Sequence, residues 1–164
     1  MIHKLALGLS AALAATALTP ATAQIVHKGA PDAAIAQSVT VPAGAKTLYV
    51  SGLLPDAIDP ALPDGPAKFG DTETQSRSVF KKINAALAAE GMDAGDVVMM
   101  RVYLVAPPGQ PRLDFQGMMK AYREFYGTAA QPNKPARVTM QVAALVGPHY
   151  LVEVEVQAAK IAAK

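Results

Sequence analysis

The sequence predicts an α+β domain, a mixed β-sheet with two helices on one face. Three observations carry this. Residues 135–142 and 150–157 alternate apolar and polar side chains with the period-two pattern of half-buried strands. Residues 96–105 are almost wholly apolar, as a central strand should be. Residues 71–90 and 114–125 each place apolar side chains at helical spacing along one stripe.

In chain order, Met1-Ile2-His3-Lys4 is a short basic start, and residues 5–18 form an apolar run rich in Ala and Leu. That run is shorter than the roughly 20 residues of a membrane span. Ala21-Thr22-Ala23 fits the small-x-small cleavage rule, with the cut before Gln24. Residues 1–23 are therefore expected to be a cleaved secretory signal rather than an anchor, and residues 24–164 one mature domain. The mature protein is expected outside the cytoplasm, in a bacterium the periplasm, with no membrane contact.

Residues 24–34 read as a loop and 37–41 as a short strand. Residues 42–45 are a turn, and 47–52 form a stronger strand with β-branched and aromatic residues. Strand, turn and strand predict an opening hairpin. Residues 53–70 are a long loop holding Pro55, Pro60, Pro63 and Pro66, either a functional element or a variable surface excursion.

Asp71 or Thr72 can cap the first helix, and Thr72 with Gln75 fits a capping box. Its stripe is Val79, Ile83, Ala86 and Leu87, and Gly91 stops it. The Pro-rich segment 107–111 ends the central strand. Asp114 can cap the second helix, whose stripe is Phe115, Met118, Met119, Tyr122 and Phe125. The two C-terminal strands, joined through Gly147-Pro148, are expected to pair as a hairpin.

In that hairpin Val138, Met140 and Val142 would enter the core, as would Val152, Val154 and Val156. Arg137, Glu153 and Glu155 would share the opposite face. There they form either a surface ion pair or a site in which an Arg fork holds a carboxylate and a Glu orients water. Two helices cover one sheet face only, so the semi-polar face is expected to be completed by oligomerisation, with pockets between subunits.

Composition narrows the functions. The chain has 164 residues, 51% hydrophobic and 17% charged, enough for one core. Its formal net charge of +2 falls to +1 when the signal, which holds Lys4 and no acid, is removed. Without a basic aromatic stripe, nucleic acid is not an expected partner. There is no Cys, so no thiolate nucleophile and no Cys-based metal site. His27 and His149 stand alone, Ser51 lacks a Gly-x-Ser-x-Gly elbow, and no phosphate loop is present.

The ordered set Tyr49-Val50-Ser51-Gly52, Gly70-Asp71-Thr72-Glu73-Thr74-Gln75, Gly95-Asp96-Val97-Val98, residues 122–126, Pro135-Ala136-Arg137 and Val152-Glu153-Val154-Glu155 resembles the reactive intermediate deaminase family. The family is also called RidA-like or YjgF-like, with the older label endoribonuclease L-PSP. The resemblance spans about residues 30–158. It implies a chorismate-mutase-like fold and a homotrimer with inter-subunit pockets. It further implies hydrolysis of reactive enamines and imines to 2-keto compounds and ammonia, with no cofactor or metal.

By position, Arg137 matches the family's carboxylate-gripping arginine and Glu153 the glutamate that positions water. Ser51, Gly52, Leu53 and Thr139 match the substrate-binding wall. Three positions depart from the family pattern. Ala36-Gln37-Ser38 stands where a Tyr is usual, Leu53 where Gln is frequent after Ser-Gly, and Thr139 where Cys is frequent. The first two bear on transfer of the usual 2-aminoacrylate substrate.

Overall fold

The computed structural model describes residues 24–162; the expected signal segment, residues 1–23, lies outside them. Strands β1 (Val26–Lys28) and β2 (Ser38–Thr40) come first, then β3 (Lys46–Leu53) and the short helix α1 (Pro66–Phe69). Helix α2 (Thr72–Ala89), a 3-10 turn (Ala94–Asp96), β4 (Val97–Leu104), α3 (Phe115–Phe125), β5 (Ala136–Gln141) and β6 (Val152–Lys160) follow.

The main sheet has the order β3-β6-β4-β5. Helix α3 is the crossover that lets β5 return parallel beside β4, pairing Met100 with Arg137 and Val102 with Thr139. Strand β6 lies between β3 and β4, antiparallel to both. The expected C-terminal hairpin therefore does not form, because β4 separates β5 from β6. The connection is pinned across the end of β4: Val142 N–H donates to the Leu104 carbonyl at 2.9 Å, and Val105 N–H to the Leu151 carbonyl at 3.0 Å.

The opening hairpin does not form either. Strand β2 pairs with β1, which lies in a stretch read as loop, and β3 goes to β6. The alternation of β3 left its partner open, since any strand presenting matching faces satisfies it.

The helices begin as their sequences require. Asp71 caps α2 by accepting from Thr74 N–H at 2.8 Å, and Asp114 caps α3 by accepting from Gly117 N–H at 2.8 Å. Gln75 makes no capping box; its side chain is committed elsewhere. Both helices lie on one face of the sheet. There Val79, Phe80, Ile83 and Leu87 of α2 and Met118 and Tyr122 of α3 pack on Met100, Val102, Val152, Val154 and Val156. Each such side chain contributes on the order of 1.5–3 kcal/mol by leaving water.

The other sheet face is open in the chain. It carries Tyr49, 72% exposed, with Val138, Met140, Arg101, Tyr103, Glu153 and Glu155. The insertion between β3 and α2 is anchored rather than free. Lys82 Nζ donates to the Leu54 carbonyl at 2.9 Å and meets the Asp56 carboxylate at 2.6 Å, and Phe69 packs edge-on against Tyr150 with centroids 4.9 Å apart.

Candidate functional site

Arg137 sits near the start of β5, the edge strand of the main sheet. Its side chain points toward the helices, reversing the expected facing: Val138 and Met140 take the open face instead, 37% and 38% exposed. The guanidinium carbon lies 4.3 Å from the ring centroid of Tyr122 and 5.9 Å from that of Phe115. Nη2 reaches the Met119 sulfur at 3.2 Å. These three side chains lie along one stripe of α3, about one turn apart.

The guanidinium is not fully satisfied. Among the described residues no carboxylate pairs with it, and Nη1 is buried without a hydrogen-bond partner. Thr139, two residues along the same face, also has its Oγ1 buried and unpartnered. Burial pushes the Arg137 pKa down from its ordinary value, the nearby Tyr122 phenol opposes this, and Arg123 adds a smaller downward push. Burial also pushes the Tyr122 phenol up to about 12, so it stays protonated. Its hydroxyl donates to the Ala34 carbonyl at 3.0 Å.

Glu153 lies on the opposite, open face. It sits between the fully buried Val152 and Val154 and is paired across the ladder with Tyr103. Beside it β3 is irregular: the register with β6 shifts between Val50 and Leu53, where Ser51 and Gly52 lie. A Cβ on Gly52 would fall on the Glu153 carboxylate, so only glycine lets that carboxylate rest against the β3 backbone. Gly52 and Glu153 are thus brought together, and Ser51 lines the same open face beside Arg101 and Glu155. Leu53, paired with Val154, packs against the helix-side core, the side on which Arg137 and Thr139 also lie.

Glu155, next along the open face, is paired with Arg101 at 2.7 Å and accepts from the Tyr103 hydroxyl at 3.2 Å. Burial first, and then the Glu155 charge, push the Tyr103 phenol up. Glu155 already has a partner, so Glu153 is the freer carboxylate of the two. The Tyr103 and Arg101 pairing went unread in the sequence; its signal was the alternation of polar residues within the apolar run of β4.

Ala36, where the family's Tyr is usual, is buried and bridges to Ala136, its N–H donating to the Pro135 carbonyl at 3.0 Å. Among the described residues no group of three or more His, Cys, Asp or Glu could hold a metal ion, and no helix is long and apolar enough to cross a membrane.

The model of the endoribonuclease L-PSP family matches residues 27–160. The chain belongs to this family. Protein DfrA of Myxococcus xanthus is 34% identical over 109 residues, 66% of this chain and 72% of that protein. Among solved structures, the Rid-family protein YyfB of Yersinia pestis superposes with a TM-score of 0.60 at 20% identity, over 77% of this chain and 87% of that one. TdcF of E. coli, solved with bound serine, gives 0.55 at 24% identity, over 80% and 96%. The Rid and YjgF structures share with this endoribonuclease L-PSP relative the α+β fold of a mixed sheet with two main helices.

Proposed function

We propose that this protein hydrolyses 2-imino acids, and enamines that tautomerise to them, to 2-keto acids and ammonia. The observation that carries the reading is Arg137: a largely buried guanidinium, steered by Tyr122 and Met119, with no anion paired to it among the described residues. Such a group is costly until a carboxylate arrives, and an Arg fork receives one through two charge-assisted hydrogen bonds. That E. coli TdcF is solved with serine, an amino acid with a carboxylate, supports the same ligand class.

The chemistry needs little more. Water adds its oxygen to the C=N carbon while Glu153 takes a proton from it, and the nitrogen gains a proton. The resulting carbinolamine expels ammonia and leaves the carbonyl. Positioning and proton transfer are the main demands, since an imine carbon is already electrophilic.

Within one chain the sheet separates Arg137 from Glu153. The reading therefore joins Arg137 and Thr139 of one protomer to Ser51, Gly52 and Glu153 of another, in a homotrimer whose open sheet faces pack together. Exposed Tyr49, Val138 and Met140 on that face support the assembly. Export through residues 1–23 belongs to the same reading; a mature N-terminus at Gln24, read by mass spectrometry from a periplasmic extract, tests it.

A second reading is a trimer that binds small acids without turnover. Ala36 favours it, because a buried alanine supplies no hydroxyl where the family usually has Tyr. Ammonia release from imines made in situ by an amino-acid oxidase decides between the two. Acceleration that disappears in Arg137→Ala supports hydrolysis; no acceleration by the wild-type protein, with 2-keto acid binding that requires Arg137, supports the binder.

A further inference from the structure

Gln75 is fully buried on α2, and its side-chain amide bonds to two segments, one just before the helix and one far along the chain. Its Nε2 donates to the Gly70 carbonyl at 3.1 Å and to the His149 carbonyl at 2.9 Å. Its Oε1 accepts from the Leu151 N–H at 2.7 Å. Gly70 ends the Pro-rich insertion that leaves β3 just after Ser51, Gly52 and Leu53. His149 and Leu151 precede β6, two residues before Glu153. One amide therefore joins the segments that follow and precede the two halves of the Glu153 site. Around it, Phe69 meets Tyr150, and His149 Nε2 lies 3.9 Å from the Asp64 carboxylate.

An amide is the side chain that fits. Two backbone carbonyls and one N–H must be satisfied in a dry place, which needs two donors and one acceptor on one planar group. A carboxylate lacks the donors, and an aliphatic side chain leaves three backbone groups unpaired. The cost of such vacancies falls on the start of β6, where a small displacement reaches the Glu153 carboxylate through two residues of rigid strand.

We propose that Gln75 is a positioning residue for Glu153, fixing the start of β6 relative to the insertion so that the carboxylate stands where water must be activated. This rests on the hydrolase reading above. The carboxylate clamp at Arg137 stands on β5 and α3 and shares no hydrogen-bond partner with this amide, so Gln75 serves turnover and leaves substrate capture alone.

The test is imine hydrolysis by the full mature chain with Gln75→Leu and Gln75→Glu, alongside 2-keto acid binding by calorimetry. Gln75→Leu should lower kcat at least about tenfold, with KM and keto-acid affinity within about twofold of wild type. Gln75→Glu keeps the acceptor and, when its buried carboxyl is protonated, regains one donor; burial favours that form. Its kcat relative to wild type should be higher at pH 6 than at pH 8. Wild-type kcat in Gln75→Leu, or a loss shared equally by kcat and keto-acid affinity, overturns the proposal while leaving the hydrolase reading in place. If Gln75→Leu does not fold, a kcat ratio for Gln75→Glu that is flat with pH overturns it. No turnover by the wild-type protein overturns the hydrolase reading itself, and the proposal with it.

Discussion

The guanidinium of Arg137 lies over the ring of Tyr122 at 4.3 Å, a cation held by an aromatic face rather than by a carboxylate. A cation–π contact is worth about 0.5–2 kcal/mol, less than the cost of withdrawing an unpaired charge from water. The residue therefore weakens the empty fold and strengthens the loaded one.

Arg137→Met should accordingly separate binding from stability. A methionine fills the space between Met119 and Tyr122 without a charge. Thermal denaturation should show the variant at least as stable as wild type, by up to about 2 kcal/mol. Binding of a 2-keto acid should fall by at least about tenfold, from loss of hydrogen bonds to a charged group. A variant that is both much less stable and still able to bind would contradict this account.

Gly52→Ala should also spare the fold, and cost turnover in place of substrate capture. The new methyl group would collide with the Glu153 carboxylate, which is the far end of a flexible side chain and can swing away. Stability should change little, within about 1 kcal/mol. Turnover should drop at least about tenfold, because the displaced carboxylate no longer meets the water. An active Gly52→Ala protein would remove Glu153 from the chemistry.

Acid should loosen the junction between α2 and α3. Arg77 holds Glu124 through three hydrogen bonds, at 3.1, 2.8 and 2.6 Å, and Glu73 through one at 2.7 Å. Hydrogen bonds from Arg77 put both carboxyls below their ordinary value of 4.5. A carboxyl with a depressed folded-state pKa contributes stability that is present above pH 4.5 and lost as pH falls through the folded value. Urea midpoints should therefore decline from about pH 4.5 downward, and less steeply in Arg77→Met. Parallel acid profiles for the two proteins would show that the pairs contribute nothing. Both partners are substantially exposed, so salt should flatten the difference as well.

Strand β6 was legible and β5 was not, although both alternate. In β6, Val152, Val154 and Val156 are buried as the pattern predicts. In β5 the apolar residues Val138 and Met140 face outward, while Arg137 and Thr139 point to the helices. Alternation says that two faces differ, not which of them meets the core, and on an edge strand the polar face can be the inner one. The partner of each strand was also hidden. Adjacency in sequence favours a hairpin, but the connection after β5 is long enough to pass β4. Gln75 was visible as a residue and its role was not, since its partners at Gly70, His149 and Leu151 are backbone groups that no side-chain pattern encodes.

The open sheet face offers a direct check on assembly. Val138→Glu places a charge among exposed apolar residues that the proposed trimer would bury. Light scattering should give three times the chain mass for wild type and a smaller species for the variant, whose helix-side core is untouched. A wild-type monomer would remove the proposed pocket.

The sheet between Arg137 and Glu153 has a genetic consequence. If each working site borrows one residue from each of two neighbours, the lesions Arg137→Ala and Glu153→Ala are complementary. Each variant alone should be inert. Unfolded together in equal amounts and refolded, they should regain about a quarter of wild-type activity, the chance that an intact arginine meets an intact glutamate across a shared boundary.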